Sequence, residues 1–223
     1  MLKVTRPNKI VFTQSHPLKL QIGADSLHFK RADLPLSNQV FTSRSYLLPR
    51  SSALRLKAYL DETKLFLKPF GMLDEADVVL AFSFGDAPTV NQHLQQIALS
   101  CRKDKPLLPL LLQQEIADGM VLNNRDIYHI KATEYQTTTD VAVAALSLTP
   151  KRKVMIVAQA WHAQRCIDTC KSLGWDVIGL RCSNLFPKDD PQPWVRHPLN
   201  WVIKESHREQ AAGHEISEQF QLI

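Results

Sequence analysis

His162 and Arg165 stand three positions apart, just after the apolar run "VMIVAQAW". An imidazole takes and gives a proton near neutral pH, and a guanidinium grips carboxylate or phosphate with a fork of N–H donors. The pair is compatible with a catalytic couple, an anion site, part of a metal site with Cys166 and Cys170, or the polar start of an ordinary helix. Spacing argues against metal. His162, Cys166 and Cys170 lie four apart on one helix face, yet they span about two turns, roughly 12 Å. They cannot all reach one zinc ion at about 2.0–2.3 Å without unwinding the helix. The cysteines therefore read as core residues, and no metal is expected. As a general base His162 would need an orienting carboxylate, and Asp140 and Glu115 are the candidates. The plainer reading fits the spacing equally well: His162 caps the helix and Arg165 pairs with a carboxylate.

Other site chemistries lack their residues. There is no GxGxxG and no P-loop, and Gly85 is the only glycine that follows the first strand of the α/β region. A pyrophosphate-binding turn of the usual kind is not expected. Ser83 has no GxSxG around it, so no hydrolase triad is expected either.

The elements that must carry these residues begin near residue 76. "ADVVLAFSFG", "PLLPLLLQ", "DIYHIKA", "KVMIVAQ" and "WDVIGLRC" read as strands, with Pro109 awkward for the second. "TVNQHLQQIALSCRK", "TTTDVAVAALSL" and "HAQRCIDTCKSLG" read as helices between them, the second capped by its threonines. Strands apolar on both faces, alternating with helices, predict a doubly wound α/β domain with a mainly parallel, Rossmann-like sheet of about five strands. Ligands of such sheets bind outside the carboxyl ends of the strands. That rule collects Ser83, Gly85 and Asp86, then Gln113, Gln114 and Glu115, then Thr137, Thr138, Thr139 and Asp140, and finally Gln159, His162 and Arg165. From these, Ser83, Gly85, Asp86, Thr138, Gln159 and Arg165 are the expected ligand-binding residues. His162, Asp140 and Glu115 are the expected catalytic ones.

Residues 1–75 read as an extension packed on a 76–223 core. Short β-like pieces, "KIVFTQ" and "LKLQIG", lie between Pro7, Pro17, Pro35 and Pro49. "SSALRLKAYLDETKLFLKPF" reads as one helix ended by Pro69, with Leu54 and Leu56 on its apolar face. "SNLFPKDDPQPWVRHPLN" is a Pro-rich loop, either a wall over a site or a crossover whose Trp194 and Trp201 simply pack. One last helix is predicted over "NWVIKESHREQAAGHEISEQF".

Composition narrows the class. The chain has 223 residues, 44% of them hydrophobic, with a formal charge of +5. The basic residues are dispersed, and the densest knot, "KRK" at 151–153, reads as a solvated turn, so no nucleic-acid partner is expected. Four cysteines without a CxxC imply no disulfide framework. No signal peptide and no stretch of about 20 apolar residues are seen, so a soluble, cytoplasmic protein is expected.

"VMIVAQAWHAQRCIDTCKSLGWDVIGL" resembles the core of the YdcF/SanA/ElyC-like family (DUF218) of bacterial α/β domains, where a strand is followed by His-x-x-Arg opening a helix. His162 and Arg165 match that motif, whereas Ala158 and Gln159 stand where Thr-Ser is usual. "TTTDVA" is similar to the family's Asn-Thr-x-Glu-Asn-Ala, with Thr138 and Ala142 matching, Asp140 in place of glutamate and Val141 in place of asparagine. Glu115 corresponds to the glutamate of a Ser-x-Glu segment, and Glu209 in "SHREQAA" to an acidic position of the last helix. The family's Gly-Gly turn after the first strand is mostly lost here. The resemblance covers about residues 76–215. It implies a Rossmann-like fold with a cleft at the strand ends, a small anionic or nucleotide-like ligand, and S-adenosylmethionine as a possible one. Two functions follow as expectations: an enzyme of hydrolase or transferase type, or a degenerate member serving as a non-catalytic binding or scaffold protein.

Overall fold

Five short segments, three of them buried apolar runs, become the five strands of one parallel sheet. A computed structural model describes residues 6–13, 18–29, 41–120, 126–131 and 135–223. It divides into two compact units, Phe66–Leu185 and a second made of Met1–Leu65 with Phe186–Ile223. Residues from Phe186 onward group with the N-terminal part.

In Phe66–Leu185 the strands are β5 (Val78–Ala81), β6 (Leu110–Gln113), β7 (Ile127–Ile130), β8 (Lys153–Gln159) and β9 (Asp176–Ser183), in the order β7-β6-β5-β8-β9, all parallel. The α/β class and the parallel sheet are as expected. Pro109 precedes β6, where its carbonyl accepts from Val79 N and its missing N–H costs nothing. Helices α4 (Thr138–Leu148) and α5 (Ala163–Ser172) pack on each other and on the sheet, burying Val78, Leu80, Phe82, Val141, Ile156, Cys166 and Cys170 in one cluster. Helix α2 (Pro88–Asp104) packs on β5, β8 and β9. A short helix, α3 (Gln114–Ala117), follows β6 and was not anticipated. Gly179 faces Met155 across a bulge between β8 and β9.

The predicted helix ending at Pro69 stops early. Helix α1 covers Arg50–Glu62, and Thr63 is already extended. Beyond it the backbone takes other partners: Leu67 N donates to Ala160 O, and Phe70 exchanges hydrogen bonds with Leu180, covering the free edge of β9. That edge would otherwise present unpaired N–H and C=O groups. Leu54, expected on the apolar face of α1, is exposed, while Ala53, Leu56 and Leu60 are buried.

The other unit holds an antiparallel sheet, β3-β2-β1-β4, made of β1 (Lys9–Phe12), β2 (Leu18–Ile22), β3 (Asp25–Phe29) and β4 (Arg44–Leu47). Alternation buries Ile10, Phe12, Leu18, Leu20 and Ile22, the period-two pattern of a sheet with one covered face. Gln14, Pro17, Pro35 and Ala132, placed in strands or turns by the sequence, lie outside the described residues. The single C-terminal helix expected from Asn200 is instead two, α6 (Pro198–His207) and α7 (Gly213–Phe220). Glu215 accepts from Ala212 N and starts the second. Trp194 and Trp201 are buried, Trp194 against Gly213.

His197 joins these parts. Its Nδ1 accepts from Leu199 N at 3.0 Å, capping α6, and its Nε2 donates to Thr42 O at 3.1 Å. The rings of Phe12 and Phe41 pack edge-on against it. Both ring nitrogens are committed to the neutral form, because a proton on Nδ1 would face the Leu199 N–H. Burial, with Arg44 adding to it, lowers the His197 pKa to about 4, against the pull of the Thr42 carbonyl. The unfolded chain therefore binds this proton first as pH falls, and stability is lost between about 6.5 and 4. At about 1.4 kcal/mol per pH unit the loss is roughly 3 kcal/mol. Urea unfolding at pH 7.5 and 4.5 should show it. His197→Asn, which keeps an acceptor at the cap but does not titrate, should flatten that dependence by most of this amount.

Candidate functional site

The strand order makes β5 and β8 neighbours whose chains leave the sheet toward different helices, β5 into α2 and β8 into α5. Such a switch point opens a crevice at the carboxyl ends of the two strands. Phe82 N donates to Val157 O at 2.9 Å and continues the ladder one step past β5. The next residues are held by side-chain amides. Ser83 N donates to Gln113 Oε1, and Phe84 N to Asn91 Oδ1, while Asn91 Nδ2 reaches the carbonyls of Gly85 and Ala87. Gly85 has φ +71°, a conformation that glycine adopts without a Cβ penalty. Ser83 is half-buried and Asp86 exposed beside it.

At the end of β8, Gln159 is fully buried and folds back on its own turn. Its Oε1 accepts from Trp161 N at 2.6 Å and from His162 N at 3.3 Å, and its Nε2 donates to Leu185 O. Gln159, expected to bind ligand, thus has its amide engaged by backbone and positions the residue three places on. That residue, His162, precedes the first turn of α5 and is 6% exposed. The rings of Phe82 and Phe84 flank it at centroid distances of 6.5 and 6.2 Å.

Two groups meet His162 Nε2. Arg165 Nη2 lies 2.8 Å away and Thr138 Oγ1 3.2 Å away. A guanidinium has donors and no acceptor, so Nε2 must offer its lone pair. The ring proton is then on Nδ1 and the imidazole is neutral. The structure therefore brings together three sequence candidates from two helices, His162, Arg165 and Thr138, at the switch point. The first turns of α4 and α5 meet there, and their free N–H groups add a positive field that favours an anion.

The carboxylates are placed differently. Asp140 is exposed and closes a capping box on α4: its Oδ2 accepts from Thr137 N at 2.8 Å and from Thr137 Oγ1 at 2.6 Å. The Thr137 hydroxyl, then its N–H, hold the Asp140 carboxyl below its usual pKa. Glu115 is half-buried on α3, and its Oε2 is buried without a hydrogen-bond partner. Neither acid is bonded to His162, so the expected Asp140 or Glu115 orientation of the base is replaced by Arg165 and Thr138. A Thr-x-x-Asp opening of a helix is a capping signature, and it was readable as such.

Sequence reasoning missed Asn91 and the pair His93–Ser183, and it collected Gln113 at a strand end without giving it a role. Ser183 ends β9 beside Gln159, and its Oγ lies 2.9 Å from His93 Nδ1 while accepting from Leu185 N. Extending the strand-end rule to the fifth strand would have found Ser183. Cys166 and Cys170 form no disulfide and are buried in the core, and burial pushes the Cys170 thiol up to about 12, far from a thiolate nucleophile or ligand. Among the described residues no three His, Cys, Asp or Glu side chains are grouped to hold a metal ion. Among them, too, no helix is long and apolar enough to cross a membrane. Comparisons with protein-family models, with curated proteins and with solved structures each find no match for this chain.

Proposed function

We propose that this chain is a divergent, cytoplasmic YdcF-like α/β protein of bacterial type. In this reading it binds a small anionic or nucleotide-like molecule between the carboxyl ends of β5 and β8. Arg165 grips the anion, Thr138 and the 82–87 turn contact the rest of the ligand, and His162 moves a proton in a hydrolase- or transferase-type reaction. The observation that carries this reading is the meeting of His162, Arg165 and Thr138 on one nitrogen at the switch point. A buried neutral imidazole beside a guanidinium suits acid–base work on an anion better than it suits packing. S-adenosylmethionine belongs in the ligand panel on the strength of the family resemblance, as a molecule to be bound and not as evidence of methyl transfer.

A second reading is a binding protein without catalysis. It is favoured by Asp140, whose carboxylate closes the α4 cap and does not reach the imidazole. One experiment addresses both. Thermal unfolding is followed with inorganic phosphate, nucleotides, phosphorylated sugars and S-adenosylmethionine, for the natural chain, Arg165→Ala and His162→Ala. Saturation at 100 times Kd stabilises by about 2.7 kcal/mol, a readily measured shift. A ligand that stabilises the natural chain but not Arg165→Ala is expected. Turnover of that ligand, lost in His162→Ala, selects the enzyme; binding without turnover selects the second reading. No stabilisation by any of the panel would sink both.

A further inference from the structure

Three polar side chains at the ends of β5 and β6 carry hydrogen-bonding capacity that the fold does not use. Gln113 closes β6 and is 7% exposed. Its Oε1 accepts from Ser83 N at 3.0 Å, just past β5. That bond settles which end of the amide is oxygen, so the other end, Nε2, is a donor. It has no hydrogen-bond partner among the described residues. The half-buried Ser83 hydroxyl has none there either. Two residues beyond Gln113, the half-buried Glu115 keeps its Oε2 buried and without a donor. A buried carboxylate oxygen left unpaired is costly, and turning the group over brings no relief, because both of its ends accept. Two residues of chain and one hydrogen bond hold the three groups at a single corner of the carboxyl edge.

Few partners satisfy all three. An ammonium or guanidinium would suit Glu115 alone, since it has donors only and would meet the Gln113 N–H groups head-on. A second phosphate would suit Gln113 and Ser83 and be repelled by Glu115. A hydroxyl serves both kinds: it gives its proton to the carboxylate and takes one from Gln113 Nε2 or Ser83 Oγ. Two adjacent hydroxyls occupy the two oxygens of one carboxylate. We propose that Glu115, Gln113 and Ser83 bind a vicinal diol, and that the ligand is a ribose phosphate, free or as the sugar of a nucleotide. This rests on the anion site argued above and adds to it the part of the ligand that lies beyond the phosphate.

Strand spacing sets the reach. The anion lies between β5 and β8, and β6 flanks β5 on the side away from β8. The two subsites are therefore about one and a half strand spacings apart, roughly 7 Å. A phosphate on the 5-position of a pentose ring reaches the ring hydroxyls across such a gap, whereas a phosphate on the carbon next to the diol does not. Glu115 thereby takes a binding role in place of the catalytic one expected from its charge.

The test is titration calorimetry of the whole chain at pH 7.5. The probes are inorganic phosphate, ribose 5-phosphate, 2-deoxyribose 5-phosphate, adenosine 5′-phosphate and its 2′-deoxy form. The natural chain should bind a ribo compound about tenfold or more tighter than its deoxy partner, as expected for one hydrogen bond to a charged group. Glu115→Gln should abolish that preference and leave the affinity for inorganic phosphate unchanged. Similar affinity for the two ribo compounds marks the free sugar phosphate, and binding confined to the adenosine pair marks the nucleotide. If phosphate binds through Arg165 but ribo and deoxy forms bind alike, the diol site is wrong and the anion site stands. If the preference survives in Glu115→Gln, Glu115 does not read the diol and the proposal is overturned. If none of the probes binds, the anion reading fails and the diol site fails with it. The sugars are compared on the natural chain, so the result does not depend on a variant that folds. Without ligand, Glu115→Gln should unfold at a temperature no lower than the natural chain, because it removes an unpaired buried charge. A clear fall would mean that the fold already holds the carboxylate, and would overturn the proposal as well.

Discussion

Phe82→Ala should lower the stability of the chain by about 3–5 kcal/mol, the range for removing a fully buried phenylalanine. Phe82 has no exposed surface and stands in the cluster that joins the sheet to α4 and α5. Its backbone N–H is bound to Val157 O, so the main chain there cannot collapse freely into the space left behind. Residual volume adds to the lost burial, which places the cost in the upper half of the range. The same substitution removes one of the two rings beside His162. Equilibrium urea unfolding measures the first effect, as a lower midpoint at unchanged slope. The second appears as weakened dependence of the midpoint on any ligand found in the thermal screen. A loss below about 1 kcal/mol would mean that the cluster repacks and that Phe82 is not the keystone of this corner.

Gly71→Ala should be comparably damaging, about 3–5 kcal/mol, by adding the strain of a left-handed residue to a collision with backbone. Gly71 has φ +77°, and a Cβ built on it would lie 2.0 Å from Ile178 O and 2.6 Å from Gly179 Cα. No flexible side chain is there to yield. Relief requires the strip at residues 67–71 to lift from β9, breaking the paired hydrogen bonds of Phe70 with Leu180 and those of Arg181 with the carbonyls of Phe70 and Gly71. Gly119 supplies the control. Its φ is +75°, nearly the same, yet a Cβ there meets nothing within 4 Å. Gly119→Ala should therefore cost only the backbone strain, about 1 kcal/mol. The difference between the two midpoints isolates the steric part, and equal losses would show that no collision occurs.

Much of the α/β region was legible because its central strands are apolar runs and α4 opens on a capping box. The parallel sheet, the first turn of α4 at Thr137 and the placing of His162 and Arg165 beyond a strand all follow from local pattern. Strand order does not, since nothing in "VVLA" or "MIVA" says which of them lies beside the other. The switch point therefore had to be seen. Two helices were drawn too long because no stop signal stands in the sequence: the apolar residues continue through Leu65–Leu67, and Arg208–Ala212 is built of good helix formers. There the backbone finds better partners, in β9 for the first and in a new cap for the second. Asp140 is a different case. Its charge drew attention to chemistry, when its spacing from Thr137 had already assigned it to the helix. Gln159 is similar: a polar residue at a strand end suggests a ligand, while its buried amide is engaged by the main chain it belongs to.

The two compact units are interleaved in the sequence, one being a single run and the other formed from the segments on either side of it. During synthesis the ribosome releases Phe66–Leu185 as a complete set of strands and covering helices before it has made α6 and α7. The first 65 residues must wait for them, with Ile10, Phe12, Leu18 and Leu20 presented on one face of a small sheet and α1 still lacking the helix it packs on. Closing that unit brings together segments more than 120 residues apart in the chain. Contacts of such separation form slowly, and apolar strands left waiting invite pairing with other chains. The nascent chain is thus most exposed at this waiting sheet, and a chaperone's attention belongs there.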